Sequence, residues 1–211
     1  MSDCCFCSTL VSDELSESWN NPLLESANFA VLPSLGSLVE GWVLIVPKKH
    51  FICTGALPIS LVHEMKCLKA DVSARLGSLY GELCAFEHGP SVAARSVGCG
   101  VDHAHLHIVP LNVDLVSAAA PFLPHGTEWL PAASESCRVA FEKGQDYLYV
   151  EQPLGSGGLI ATHPNFGSQV FRKAIASSLG APEQFSWREH PQIQIVERTI
   201  RTFSASCEAS L

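Results

Sequence analysis

Charge is scarce in this sequence, and positive charge is scarcer. Asp, Glu, Lys and Arg make up 16% of the 211 residues, against roughly 25% in an average soluble domain. The 13 Lys and Arg are outnumbered by 21 Asp and Glu, for a net charge of −8. A general nucleic-acid binder needs a basic face, so no nucleic-acid partner is expected. A small phosphorylated ligand stays open, because a local pocket can be positive on an acidic protein. Long apolar runs are also missing. Segments such as GWVLIVP fall far short of the roughly 20 residues that span a bilayer, so no membrane partner is expected. The start, MSDCCFCSTL, has neither the basic residues nor the apolar stretch of a signal peptide. The expected compartment is therefore the cytoplasm. No internal repeat or low-complexity block is evident.

What is there supports a real core: 47% of residues are hydrophobic and the mean hydropathy is positive. Cysteine is plentiful. Nine cysteines without an export signal fit a reducing compartment, and an odd number does not fit a complete disulfide framework. The question becomes what they do as thiols or metal ligands.

The order of elements is mixed. Residues 28–33 and 37–47 read as strands, the second rich enough in Val, Leu, Ile and Trp to be well buried. Over residues 58–80, Leu61, Met65, Leu68, Val72, Leu76 and Leu79 recur at spacings of 4, 3, 4, 4 and 3. That is one stripe of an amphipathic helix, with Pro58 in its first turn and Gly81 past its end. Residues 83–89 read as a strand and 90–100 as a loop. Residues 103–111 form a strand by alternation, in which Pro110 ends the regular pairing or sits at an edge. Two strands, 146–152 and 159–161, flank a Gly-Ser-Gly-Gly turn. Ser168 is positioned to cap a helix that Gly180 closes. Ile193, Val196, Ile200 and Phe203, spaced by 3, 4 and 3, predict a last helix. The soft loop at 118–126 suggests a subdivision near it: a catalytic domain over 1–115 and an extension over 116–211 packed on the same domain.

The stretch CGVDHAHLHIVPL carries the chemistry. Its three histidines, His103, His105 and His107, occupy alternate positions. On a strand they share one face while Ala104, Leu106 and Ile108 take the other. Imidazole serves as nucleophile, general acid or metal ligand, and a face of three is not a packing face. At the N-terminus, Cys4-x-x-Cys7 has a spacing that suits one tetrahedral zinc; the alternative is an unligated terminus.

The pattern HAHLHIV resembles that of the histidine triad family of nucleotide hydrolases and transferases. GWVLIVPKKH, residues 41–50, resembles that family's Gly-His-x-Leu-x-x-Pro-Lys-x-His strand, and FCSTL its usual start. The resemblance covers roughly residues 4–111. It implies an α+β fold, an antiparallel sheet packed with helices, here followed by a C-terminal helical extension. It also implies chemistry at the α-phosphate of a nucleotide, and a possible homodimer. By resemblance, His105 attacks the phosphorus and forms a nucleotidyl-histidine, and His107 contacts the phosphate and helps protonate the leaving group. By the same resemblance, and that to the galactose-1-phosphate uridylyltransferases, Cys4 and Cys7 join His50 and His103 around a structural zinc.

The departures matter as much. Trp42 stands where the family has a histidine, and is expected as an aromatic wall of the substrate site. Gly98, Cys99 and Gly100 replace a Gly-Gln-Ser segment, leaving backbone N–H groups to bind phosphate; a small buried cysteine is the plainer role for Cys99. FEHG, containing Glu87, is similar to a uridylyltransferase element, yet those enzymes carry glutamine where this chain has His107. Gln169 and Arg172, three residues apart, can share a helix face and reach a phosphate, or simply lie in solvent.

The reading that follows is a nucleotidyl hydrolase or phosphorylase acting on a nucleoside polyphosphate, dinucleoside polyphosphate or sugar nucleotide. The alternatives are a nucleotidyltransferase, an inactive zinc-stabilised nucleotide-binding module, and a metal-handling protein.

Overall fold

Both faces of a single sheet are covered by helices, and this decides how the strands read. The computed structural model describes residues 4–11, 17–95, 97–98 and 100–208. In chain order the elements are α1 (Cys5–Val11), β1 (Leu24–Glu25), β2 (Phe29–Pro33), β3 (Val43–Pro47), α2 (Ile59–Tyr80), β4 (Leu83–Gly89) and β5 (Leu106–Pro110). There follow α3 (Leu115–Ala119), β6 (Leu130–Ala132), α4 (Ser136–Glu142), β7 (Tyr147–Glu151), β8 (Gly158–Thr162), α5 (Val170–Ser178) and α6 (Ile193–Glu208). The fold is α+β. Its eight strands lie in the order β1-β2-β3-β5-β4-β7-β8-β6, every neighbouring pair antiparallel.

Successive side chains alternate across the sheet. Val43, Ile45, Leu83, Ala85, Leu106 and Ile108 point to one face, where they meet Leu68, Val72 and Leu76 of α2 and Phe203 of α6. Trp42, Cys84, Phe86, Val109, Leu148 and Val150 point to the other, against Phe171, Ala174 and Ile175 of α5 and Leu115 and Ala119 of α3. With both faces covered, β2, β3 and β4 are buried at every position. β2, β3 and the first four residues of β4 therefore carry apolar residues consecutively instead of alternating with polar ones.

The long helix over 58–80, the strand over 83–89, the hairpin of β7 and β8 and the C-terminal helix all appear where the pattern predicts them. Other expectations are corrected. The strand foreseen over 37–47 begins only at Val43, because the chain turns at Gly41. There φ is +83°, and a Cβ would lie 2.6 Å from the Tyr80 ring. The Gly41 N–H donates to the Thr199 hydroxyl at 2.9 Å, so α6 helps hold this turn. The strand foreseen over 103–111 pairs regularly only from Leu106. Pro110 ends it, and β5 is interior to the sheet, between β3 and β4. Ser168 does not cap α5: its hydroxyl donates to the Gly98 carbonyl at 2.9 Å, and Gln169 takes the cap position at φ +57° without a side-chain cap. The soft loop at 118–126 contains the end of α3 and a 3-10 turn at Ala120–Phe122. Strands β6, β7 and β8, all from beyond residue 115, extend the same sheet. The elements α1, α3, α4, β1 and β6 have no counterpart in the pattern: at two to seven residues each, they are too short to establish a period. No described helix is long and apolar enough to cross a membrane.

Phe203 is 1% exposed within the α2 face of the core. Phe203→Ala is expected to lower stability by about 3–5 kcal/mol in denaturant unfolding. Leu130→Ala, on the exposed edge strand β6, is expected to stay within about 0.5 kcal/mol of the parent.

Candidate functional site

The three histidines leave the core in two directions. His105 and His107 flank Leu106, which packs on the α2 face, so alternation sends both imidazoles to the α5 face. Their ring centroids lie 5.0 Å apart. His103 precedes the regular strand. Its ring N–H donates to the Pro47 carbonyl through Nε2 at 2.8 Å, which leaves the Nδ1 lone pair facing α1. The neighbouring Ala104 N–H donates to the Phe51 carbonyl at 2.5 Å and pins this bend beside the residues that follow β3.

Around His103 Nδ1 gather the predicted metal donors. Cys4 Sγ lies 3.4 Å away and Cys7 Sγ 3.6 Å away, while Cys7 Sγ is 3.3 Å from His50 Nδ1. All four donor atoms fall within 4.8 Å of one another. The sulfur-to-nitrogen edge of a tetrahedral zinc site is roughly 3.5 Å, so the donor set fits such an ion. The helix α1 explains the selection. Cys4 and Cys7 are three residues apart and share a side of its first turn, whereas Cys5 is exposed and stands outside the cluster. The Pro47 carbonyl behind His103 is the kind of outer partner that orients a ligating imidazole.

His105 and His107 open onto a cavity of about 140 Å³, walled by Phe6, Trp19, Leu44 and Trp187, with Asn20 and Arg172 among its polar lining. The His105 Nδ1–H donates to the His103 carbonyl at 2.6 Å, so the lone pair sits on Nε2. His107 stacks on Phe86 at 4.3 Å and 15°, and its Nδ1 accepts the indole N–H of Trp42 at 2.9 Å. Its Nε2 is buried with no hydrogen-bond partner among the described residues. Burial first, then the neighbouring His105 and His88 rings and the Arg172 guanidinium, hold His107 well below the ordinary imidazole range. Burial also lowers His105, partly offset by its bond to the His103 carbonyl. Both rings are thus neutral at pH 7.

Arg172 joins this group. It is 1% exposed, its guanidinium lies 4.9 Å from the Trp42 ring, and it donates to the carbonyls of Phe185 and Gly36. Trp42 itself is fully buried and stands behind His107, not at the cavity wall as expected. Gln169 is nine-tenths buried, and its Oε1 has no partner among the described residues; it does not line the cavity. Gly98 is buried and Gly100 exposed, the latter accepting an Arg188 N–H at 2.6 Å. Cys99 lies outside the described residues.

Glu87 does not join the site. On β4 its side chain alternates to the face opposite Phe86 and His107. There it accepts the Thr54 N–H at 2.6 Å and the Tyr147 hydroxyl at 2.7 Å, a buried structural knot. The expectation came from motif similarity, which says nothing of which face a strand residue takes.

Solved structures provide a further comparison. The chain is similar to histidine triad proteins and to a uridylyltransferase. Among them are a HIT family protein from Bacillus anthracis, 16% identical with a TM-score of 0.44 over 54% of this chain and 76% of that one, and a zinc-bound histidine triad family protein from Mycobacterium smegmatis, 21% identical with a TM-score of 0.41 over 67% and 94%. The uridylyltransferase is 11% identical, with a TM-score of 0.42 over 93% of this chain and 95% of its own. No protein-family model and no curated protein matches the sequence. Likenesses of this size leave the chemistry to be read from the side chains.

Residues that sequence reasoning passes over complete the site. Phe6, Trp19 and Trp187 are aromatic walls scattered across unrelated segments, with no spacing to betray them. His88 sits 6.5 Å from His107, ring to ring, and its Nε2 accepts the Phe171 N–H at 3.2 Å. Burial first, then the charges of His105, Arg172 and Lys173, push His88 down to about 3. Its folded value lies below the ordinary 6.5, so the unfolded chain binds more protons in acid. The stability it contributes is intact above about pH 6.5 and is lost as pH falls towards about 3, at about 1.4 kcal/mol per unit. Thermal melts are expected to drop steeply over that window, and His88→Gln to make the drop shallower.

Proposed function

We propose that the chain is a nucleotidyl hydrolase or phosphorylase that cleaves at the α-phosphate of a nucleoside polyphosphate, dinucleoside polyphosphate or sugar nucleotide, through nucleotidyl-His105. One observation carries this reading: the His105 Nδ1–H is committed to the His103 carbonyl at 2.6 Å, so a neutral ring presents Nε2 to a cavity. In the first step Nε2 forms a P–N bond while the bond from phosphorus to the leaving oxygen breaks. The positive charge that develops on the imidazole is relieved by the same carbonyl. In the second step water or phosphate attacks phosphorus, the P–N bond breaks, and His105 is restored. Splitting the displacement in two lets the acceptor vary, which keeps a nucleotidyltransferase as the neighbouring possibility.

The aromatic walls Phe6, Trp19 and Trp187 support a planar base stacked in the cavity. Arg172 and the His107 N–H supply the donors a phosphoryl group needs as charge builds in the transition state. Residues 1–115 would carry the nucleophile and the metal donors, and 116–211 the arginine and the Trp187 wall. A zinc held by Cys4, Cys7, His50 and His103 would be structural, since all four positions of a tetrahedron are filled by protein. It would tie α1, and with it Phe6, against the histidine segment.

Two measurements test this. Intact mass after an alkaline quench, with a panel of nucleoside polyphosphates, dinucleoside polyphosphates and sugar nucleotides, is expected to reveal a nucleoside-monophosphate increment on His105. His105→Ala is expected to abolish both increment and turnover while keeping zinc; full activity in that variant would sink the mechanism. For the metal, elemental analysis is expected to give about one zinc per chain, falling towards zero in His103→Ala together with a lower melting temperature.

A further inference from the structure

The indole of Trp42 is a donor only. Its contact with His107 Nδ1 at 2.9 Å therefore requires the Nδ1 lone pair and puts the ring proton on Nε2. That Nε2–H is buried and unpartnered among the described residues, and the His107 ring that carries it lines the cavity beside His105. Packing keeps the ring and its indole partner in place. Phe86 stacks on one face at 4.3 Å, and Trp42 is fully buried, under Arg172 at 4.9 Å. For His107 to act as an acid through Nε2, Nδ1 would have to hold a second proton, and the indole N–H, which donates a hydrogen bond there, is far too weak an acid to transfer one.

Resting on the nucleotidyl-His105 reading, we infer that Trp42 is a positioning residue that holds His107 as a fixed neutral N–H donor, and that the site therefore serves nucleotides whose leaving group departs as a phosphate oxyanion, not as an amine. When a phosphoanhydride is the donor, His105 Nε2 bonds to phosphorus and the electron pair of the breaking P–O bond goes to the leaving oxygen. The departing phosphate is stable as an anion. When a phosphoramidate is the donor, the breaking P–N bond leaves an amine nitrogen that must collect a proton as it departs. His107 can hydrogen-bond to either transition state but cannot supply that proton.

Nitrogen NMR of histidine-labelled protein tests the assignment independently of activity. His107 is expected as the Nε2–H tautomer, with a through-hydrogen-bond coupling between Trp42 Nε1 and His107 Nδ1. The Nδ1–H tautomer would overturn the proposal. Trp42→Phe is expected to release a tautomer mixture, and Trp42→His, which keeps a ring N–H, to restore Nε2–H. Should the Phe variant fail to fold, the parent spectrum alone decides.

Kinetics test the substrate class. A missing general acid costs on the order of 10²–10⁴-fold, so a nucleoside phosphoramidate is expected to turn over about a hundredfold or more slowly than a dinucleoside polyphosphate with the same base. Comparable rates would overturn the leaving-group assignment. Cys5 also lines the cavity, so Cys5→Ala is run in parallel; a selective loss of phosphoramidate turnover there would identify the thiol as proton source and likewise overturn it. No turnover or adduct with either donor would reject the nucleotidyl reading and the leaving-group half with it, while the tautomer result would still decide the role of Trp42.

Discussion

His103 donates its Nε2–H to the Pro47 carbonyl at 2.8 Å, and its own carbonyl receives the His105 Nδ1–H at 2.6 Å. Two adjacent hydrogen bonds thus fix the direction of two rings. The first turns the His103 Nδ1 lone pair towards Cys4, Cys7 and His50; the second turns His105 Nε2 towards the cavity. Because burial keeps both rings neutral, each retains the lone pair on which its role depends. His103 thus belongs to both groups, its ring to the Cys4, Cys7 and His50 cluster and its carbonyl to the bond that orients His105, which is why the end of β3 and a short helix at the N-terminus meet beside the same cavity.

The rest of the chain supports this arrangement from behind. Gly41 allows the turn that brings Trp42 under His107, and Thr199 of α6 holds the Gly41 amide. Arg172 of α5 stands against Trp42 while reaching the carbonyls of Gly36 and Phe185. The segment carrying Trp187 and Arg188 closes over the same region, with Arg188 stacked on Trp187 at 4.3 Å and bonded to the Gly100 carbonyl. Residues far from the histidine motif in the chain therefore pack around its buried rings and wall the cavity. Glu87 is the contrast: its hydrogen bonds to Thr54 and Tyr147 join the loop after His50 to β7 on the other side of the sheet, a matter of stability and not of the cavity.

Much of the architecture was legible because it is periodic. The α2 stripe, the consecutive apolar runs of β3 and β4, and the alternation around Leu106 all follow from one face or two being buried. Short elements escaped for the same reason, since a period needs length. At the site, the histidine row and the Cys4-Cys7 spacing could be read from local geometry. The position of Glu87 could not, because a motif match does not specify register; nor could Ser168, whose hydroxyl found the Gly98 carbonyl instead of the helix end.

By itself the sequence determined which side chains were available and how closely they would follow one another: three imidazoles two residues apart, two thiols three residues apart, and a tryptophan directly after a glycine. Local covalent geometry is enough for that. Only the tertiary structure decided what each nitrogen faces. Whether an imidazole donates or accepts depends on a carbonyl, an indole or a thiol brought in from as many as 99 residues away, and chain spacing holds no information about that encounter until the sheet has closed around it.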